Sequence, residues 1–209
     1  METPFKKDKE ETKRRLIQAT GEIFMSKGYT GLSAPRIANL AGVSKTLVYR
    51  YFGNVQELFK AYLLQKDYWI TSLVDVEKMI ETGKDDSGQE LIKHILENHM
   101  NYFYGDKEMQ QMIRWQLNEA NDISRSIADS RERAGEDILE MTDKHFAGSG
   151  INFRALSAVF VSGIYLMVLN AKVTGSSFCG IDINREADMQ EVIRTIKQAV
   201  DWAYERGGS

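Results

Sequence analysis

A chain of 209 residues is long enough for one large domain, or for a small one followed by a larger. Its 43% apolar and 27% charged residues are the balance of an ordinary soluble protein, and the net charge of -3 is mild. The single cysteine, Cys179, excludes an intrachain disulfide framework and points to a reducing compartment.

The charge is unevenly placed. Residues 1–60 hold eleven basic side chains against six acidic ones, a net +5, and the remainder carries -8. A basic head on an acidic body suits a head that meets phosphates and a body that does not. The N-terminus, METPFKKDKEE, has no apolar signal core. The longest run without a charge is the seventeen residues Ala155–Ala171. That is short of the ~20 that span a bilayer, so no membrane partner is expected and the location expected is cytoplasmic.

The first helix is expected from Asp8 or Thr12 to Lys27, with Leu16, Ile17, Ala19, Ile23 and Phe24 on one stripe and Gly28 closing it. The basic residues in its first turns fit either a solvated helix start or an end that touches phosphates. Ser33 then caps a short helix whose apolar face is Ile37, Ala38, Leu40 and Ala41, with Pro35 in its first turn. Gly42 sits where the chain must turn, and Ser44 caps a third helix carrying Leu47, Val48, Tyr51 and Phe52. Two short helices joined by a glycine-containing turn form the geometry that places a second helix in the DNA major groove.

Asn54 and Glu57 form an N-cap pair for the next helix. The spacing of Leu58, Phe59, Tyr62, Leu63, Trp69, Ile70, Leu73, Val74 and Met79 predicts that this helix runs unbroken to Glu81. Thr82–Gly88 reads as a loop. Further helices are expected over 89–103, from 106 through Trp115, from about 122 to 146, over 152–173 and over 186–205. The fold class is all-α with about nine helices. A head of residues 1–55 carries the helix-turn-helix, and a body of residues 56–209 follows.

Ile37-Ala38, Ala41-Gly42-Val43-Ser44-Lys45, Tyr49, Tyr51-Phe52 and Glu57-Leu58-Phe59 together resemble the DNA-binding signature of the tetracycline-repressor (TetR) family. Ile17, Ala19, Phe24, Lys27, Gly28 and Tyr29 extend the resemblance back through the first helix. The match covers roughly residues 10–60. It implies a transcription regulator, most simply a repressor, that binds a duplex operator as a homodimer and answers to a small-molecule effector. The runner-up is a DNA-binding protein of the same family without an effector, in an architectural or cell-division role.

The residues expected at the DNA are Ser33, Arg36, Ser44, Lys45, Thr46, Leu47, Tyr49 and Arg50. Lys and Arg pair with phosphates or guanine edges, Thr contacts either, and Tyr donates to phosphate. Leu47 stands where the family often has a polar residue, and it can only pack on a thymine methyl. Val55 replaces a lysine that often touches phosphate, so that contact is not carried over.

The body shows no Gly-rich phosphate loop, serine elbow or paired-carboxylate motif, so an enzyme is not expected. His94 and His99 are five apart and cannot form the i, i+4 pair of a zinc helix, and with His145 they make no ligand cluster. No metal and no cofactor are expected. Aromatic and Met side chains are concentrated over residues 62–115. Most are core, but such residues also line apolar pockets. The resemblance implies a pocket here, with Trp69, Met100, Phe103, Met112 and Trp115 as its walls. The Ala155–Ala171 helix calls for burial nearly all round. Its small residues Ala155, Ala158, Ser162 and Gly163 fit a two-fold pairing with the last helix and their symmetry mates.

Overall fold

Local capping sets most of the element boundaries in the computed structural model, which describes residues 4–72, 76–82 and 86–207. Helix α1 runs Pro4–Lys27, four residues earlier than its apolar stripe required, and ends where Gly28 takes φ +69. A 3-10 turn, Tyr29–Gly31, leads into α2 (Ala34–Ala41) and α3 (Lys45–Phe52). Gly42 joins them in the left-handed region at φ 65, ψ 40, which L side chains rarely adopt. Its N–H and that of Val43 donate to the carbonyls of Asn39 (3.1 Å) and Ala38 (3.0 Å), satisfying the end of α2.

α4 (Val55–Lys66) begins at Asn54, whose Oδ1 accepts from the Glu57 N–H at 2.8 Å. The helix does not continue to Glu81. It stops at Asp67, which turns extended at ψ 123 and is fully buried. α5 (Tyr68–Ser72) and α6 (Val76–Thr82) follow as separate pieces. Asp disfavours helix interiors because its side chain competes for backbone donors, and one such residue overrode an otherwise helical apolar period. Leu73 and Val74, expected on this helix, lie outside the described residues, as do Gly83–Asp85 of the following loop.

α7 (Gln89–Gly105) and α8 (Lys107–Asn118) meet at a corner made by two side chains. Asp106 Oδ1 accepts from the Met109 N–H at 2.7 Å, and buried Gln110 donates to the carbonyls of Phe103 (2.8 Å) and Tyr104 (3.0 Å). α9 (Asp122–Phe146), α10 (Phe153–Thr174) and α11 (Glu186–Gly207) complete the chain. Among the described residues there are eleven α-helices and no strand, only an isolated bridge between Phe178 and Ile181. The fold is all-α, and the excess over nine helices comes from the breaks after α4.

Two compact units emerge. The first holds the chain through Asp67 together with Arg114–Ser130. Its core is aromatic: Phe59 lies 5.0 Å from both Phe24 and Trp115, and Tyr29 lies 5.3 Å from Trp115. Gly21 belongs here because an added Cβ would stand 2.5 Å from the Tyr62 ring. Leu40, expected on the buried face of α2, is 51% exposed.

The second unit holds Tyr68–Ile113 and Arg131–Ser209. α7 is its central helix, packing on α10 and α11. Lys93 pairs with Asp201 at 2.7 Å and Lys197 with Glu97 at 2.6 Å across α7 and α11. Arg154 ties α10 to α9 through Glu136 (2.9 Å) and Asp143 (2.7 Å). With 22 residues, α10 is long and apolar enough to cross a membrane by length and composition alone, because the helix continues past the charge-free run through Arg154 and Lys172. Its inner residues Phe153, Ile164, Val168 and Ala171 are nonetheless buried in the helical body.

Candidate functional site

The first unit presents α3 by its N-terminal end. Val48 is fully buried and holds the helix down, while Phe52 is half-buried. Ser44 starts the helix, its Oγ accepting from the Thr46 N–H at 3.3 Å. Ser44, Lys45, Thr46 and Arg50 are exposed, Leu47 is half-buried, and Tyr49 is 53% exposed. These side chains are thus accessible along an eight-residue helix, with Lys45 and Thr46 in its first turn and Arg50 in its last. Free backbone N–H groups at a helix start favour phosphate, and exposed Lys, Thr and Arg supply donors to phosphates and base edges.

Ser33 is half-buried at the start of α2 and makes no side-chain cap. Arg36 is exposed, and its guanidinium donates to the Gly31 carbonyl, so part of its donor set is already used inside the unit. Arg15 was missed in the sequence. Its guanidinium donates to the carbonyls of Ala41 and Gly42, the turn between α2 and α3. Nothing local marks it, because the contact joins residues 26 and 27 apart. Near the other end of α3, Lys9 Nζ stands 5.9 Å from the Tyr51 ring centroid, which brings α1 beside this helix. The side chains of Lys6 and Lys7 lie outside the described residues.

The residues expected to line a pocket divide between the units. Trp115 takes its ring neighbours in the first unit, from Phe24, Tyr29 and Phe59. Trp69, Met100, Phe103 and Met112 belong to the second. Met100, Phe103 and Met112 are fully buried. The Trp69 indole N–H donates to the Tyr165 hydroxyl at 2.8 Å.

At the centre of this box is His99, with Trp69 at 4.6 Å, Tyr165 at 4.9 Å, Tyr68 at 5.3 Å and Phe103 at 6.0 Å between ring centroids. Burial, with the Arg131 guanidinium as a smaller contribution, pushes its imidazole down to about 3. Burial likewise raises the Tyr68 phenol to about 12. Beside the box is a groove of about 320 Å³ lined by Tyr68, Ser72, Met79, Ile95, Asn98 and Tyr102.

A helix-turn-helix with an exposed second helix and an aromatic-lined helical body defines a class of DNA-binding regulators. Residues 16–62 match the family described as bacterial regulatory proteins, tetR family. The chain is 28% identical over 110 residues to the HTH-type transcriptional repressor SCO4008 of Streptomyces coelicolor, covering 53% of this chain and 52% of that one. It is 36% identical over 55 residues to the HTH-type transcriptional activator FasR of Mycolicibacterium smegmatis, covering 26% and 25%. The chain thus spans about half of the first curated relative and a quarter of the second.

Among solved structures, the transcriptional regulator FadR from Bacillus subtilis in complex with stearoyl-CoA is similar at TM-score 0.64 and 17% identity, over 90% of this chain and 96% of that one. NalD, the secondary repressor of the MexAB-OprM multidrug efflux pump in Pseudomonas aeruginosa, is similar at TM-score 0.57 and 20% identity, over 90% and 96%. Residues 16–62 thus carry the DNA-binding region of the tetR family of bacterial regulatory proteins.

Proposed function

We propose that the protein is a ligand-responsive, DNA-binding transcription regulator of the cytoplasm that represses from a near-palindromic operator and is released by a small apolar effector. The observation that carries this reading is the exposure of Lys45, Thr46, Tyr49 and Arg50 along α3, which buried Val48 anchors in the first unit. DNA reading falls to residues 1–55, with Ser33, Arg36, Ser44 and Leu47 at its margin. Effector binding and dimerisation fall to residues 56–209, with Trp69, Met100, Phe103 and Met112 nearest the effector. SCO4008 and NalD carry the name repressor, and FasR carries the name activator. Repression is the simpler mechanism, since occupying an operator needs no contact with a further protein. The stearoyl-CoA held by FadR has a long apolar tail, which supports an apolar effector here.

The partner is a second copy of the chain. Ala155, Val159, Ser162, Leu166 and Val173 are spaced three, four or seven residues apart along one side of α10 and are exposed, Val159 to 65%, Leu166 to 55% and Val173 to 61%. Trp202 of α11 is exposed to 53%. An apolar helical stripe of this kind is covered in a two-fold pairing. Gly163 has nothing within 4 Å of an added Cβ inside the chain. Gly163→Leu therefore leaves the protomer folded, and gains about 0.8–1.0 kcal/mol of helix propensity at most. It should yield monomers in sedimentation that bind an operator poorly. A Gly163→Leu protein that sediments as a dimer, or a wild type monomeric at micromolar concentration, removes this pairing.

Two heads of such a dimer read half-sites about 34–36 Å apart. An effector preferring another spacing lowers operator affinity by linkage, and 1–3 kcal/mol of coupling changes it roughly 5–150-fold. Selection of bound duplexes from a random pool supplies the operator. Titrating effector with and without that operator then tests the switch, because operator must weaken effector binding by the same factor. Equal affinity in the two conditions favours the second reading, a family member without an effector.

A further inference from the structure

His99 is fully buried, and neither Nδ1 nor Nε2 has a hydrogen-bond partner among the described residues. Leaving buried polar atoms unpaired costs about 1–3 kcal/mol each, so native structures rarely do so without a reason. The four rings around it offer no exchange for that cost. Tyr165 uses its hydroxyl to accept from Trp69, and the Tyr68 hydroxyl reaches toward the Ile95 carbonyl at 3.4 Å. An aliphatic or aromatic residue would pack here better than an imidazole does.

Tyr68 connects this orphaned group to the outside. Its ring stacks on His99 at 5.3 Å and meets Tyr102 at a tilt at 5.0 Å, and with Tyr102 it forms a wall of the 320 Å³ groove. Ile95, one turn before His99 on α7, lines the same groove. A rotation of the Tyr68 side chain therefore joins groove and box within the second unit. The groove volume is at the lower end of small-molecule sites, enough for a two-ring compound.

We propose that the His99 box is the inner end of an effector site entered from the Tyr68–Tyr102 groove, and that it takes a flat apolar molecule bearing a single carboxylate, which accepts the imidazole N–H. This rests on the effector reading above. The rings supply the apolar walls, and the polar end of the ligand supplies the partner that the chain withholds. A carboxylate is the strongest acceptor for the N–H of a neutral imidazole, and an ammonium group offers that N–H no lone pair.

The test uses the full-length dimer and three probes of one shape: 2-naphthoate, neutral 2-naphthol and the 2-naphthylmethylammonium cation. Binding is followed by calorimetry and by the carbon–proton correlation spectrum of the ring signals, which the chain's three histidines keep simple. The expected order is naphthoate, naphthol, cation, with naphthoate moving the His99 signal and leaving that of exposed His94 in place. His99→Phe should fold at least as stably as wild type and lose about tenfold or more in naphthoate affinity, since one charged hydrogen bond is removed.

Tighter binding of the cation, or naphthoate binding that does not move the His99 signal, overturns the proposal. So does an unbound wild type at millimolar naphthoate. The wild-type spectrum alone decides if His99→Phe fails to fold. Naphthoate held at His99 with no change in operator affinity leaves this site standing and removes the effector reading. Loss of the site with operator binding intact does the reverse.

Discussion

The two compact units both bury aromatic clusters, and they differ in what those clusters enclose. In the first, arginines from distant positions cap exposed carbonyls: Arg15 reaches the α2–α3 turn and Arg36 reaches Gly31. Phe24 and Phe59 meet Trp115 edge to face in its core, and Tyr29 packs on Phe59 and Trp115 at a tilt. The second unit surrounds His99 with rings and gives it no partner. It also leaves an apolar stripe of α10 exposed. Among the first unit's rings the unpaired atom is the Trp115 indole Nε1, whereas His99 in the second leaves both ring nitrogens unpaired.

That contrast breaks most directly at Phe59. It is fully buried against Phe24, Tyr62 and Trp115. Phe59→Ala should cost about 3–5 kcal/mol in denaturant unfolding followed by Trp fluorescence. A loss below about 1 kcal/mol would mean that the first unit repacks freely and is not the more rigidly specified one.

A pH titration sharpens the second half of the comparison. The imidazole of an unfolded chain takes its proton near 6.5, and folded His99 does so only near 3. Between these values the unfolded state binds more protons, so stability falls as pH is lowered through the window. The slope is at most about 1.4 kcal/mol per unit, or about 2 kcal/mol between pH 6.5 and 5. Asp201, held below the ordinary carboxylate range by its hydrogen bond from Lys93, stays ionised over that interval. Tyr68, whose phenol burial raises to about 12, stays neutral there. His99→Phe should flatten the slope by that amount, and an unchanged slope would show that His99 finds a partner in solution.

At the DNA-facing side, Lys45→Ala should weaken operator binding by about 1–2 kcal/mol and lower the salt slope by about one where its partner is a phosphate. Tyr49→Phe should leave the slope nearly unchanged, having lost a hydroxyl and no charge. Unaltered affinity in both variants would place the exposed face of α3 away from DNA. The smallest effects belong to the caps. Asn54→Ala, which removes a 2.8 Å bond, should cost about 1 kcal/mol in thermal unfolding, and Ser44→Ala, with a 3.3 Å bond, less.

Residues 16–62 were legible because their signals are local. Caps at Ser44 and Asn54, a glycine at 42 and apolar residues at helical spacing act within a few positions of each other, and so they fix the same short helices in any body. The basic head was legible for the same reason, as a property of composition along the chain. The break at Asp67 was not, since a continuous apolar period and one buried carboxylate compete, and only the surrounding packing decides between them. Arg15 on the Gly42 carbonyl, Trp115 in the first unit rather than the second, and Leu40 facing outward are likewise outcomes of contacts far apart in sequence. The aromatic richness of residues 62–115 announced a packed region, but periodicity gives each residue a face and not a neighbour. Which ring lies on which, and that His99 is enclosed by four of them with both nitrogens unpaired, was decided by the tertiary structure alone.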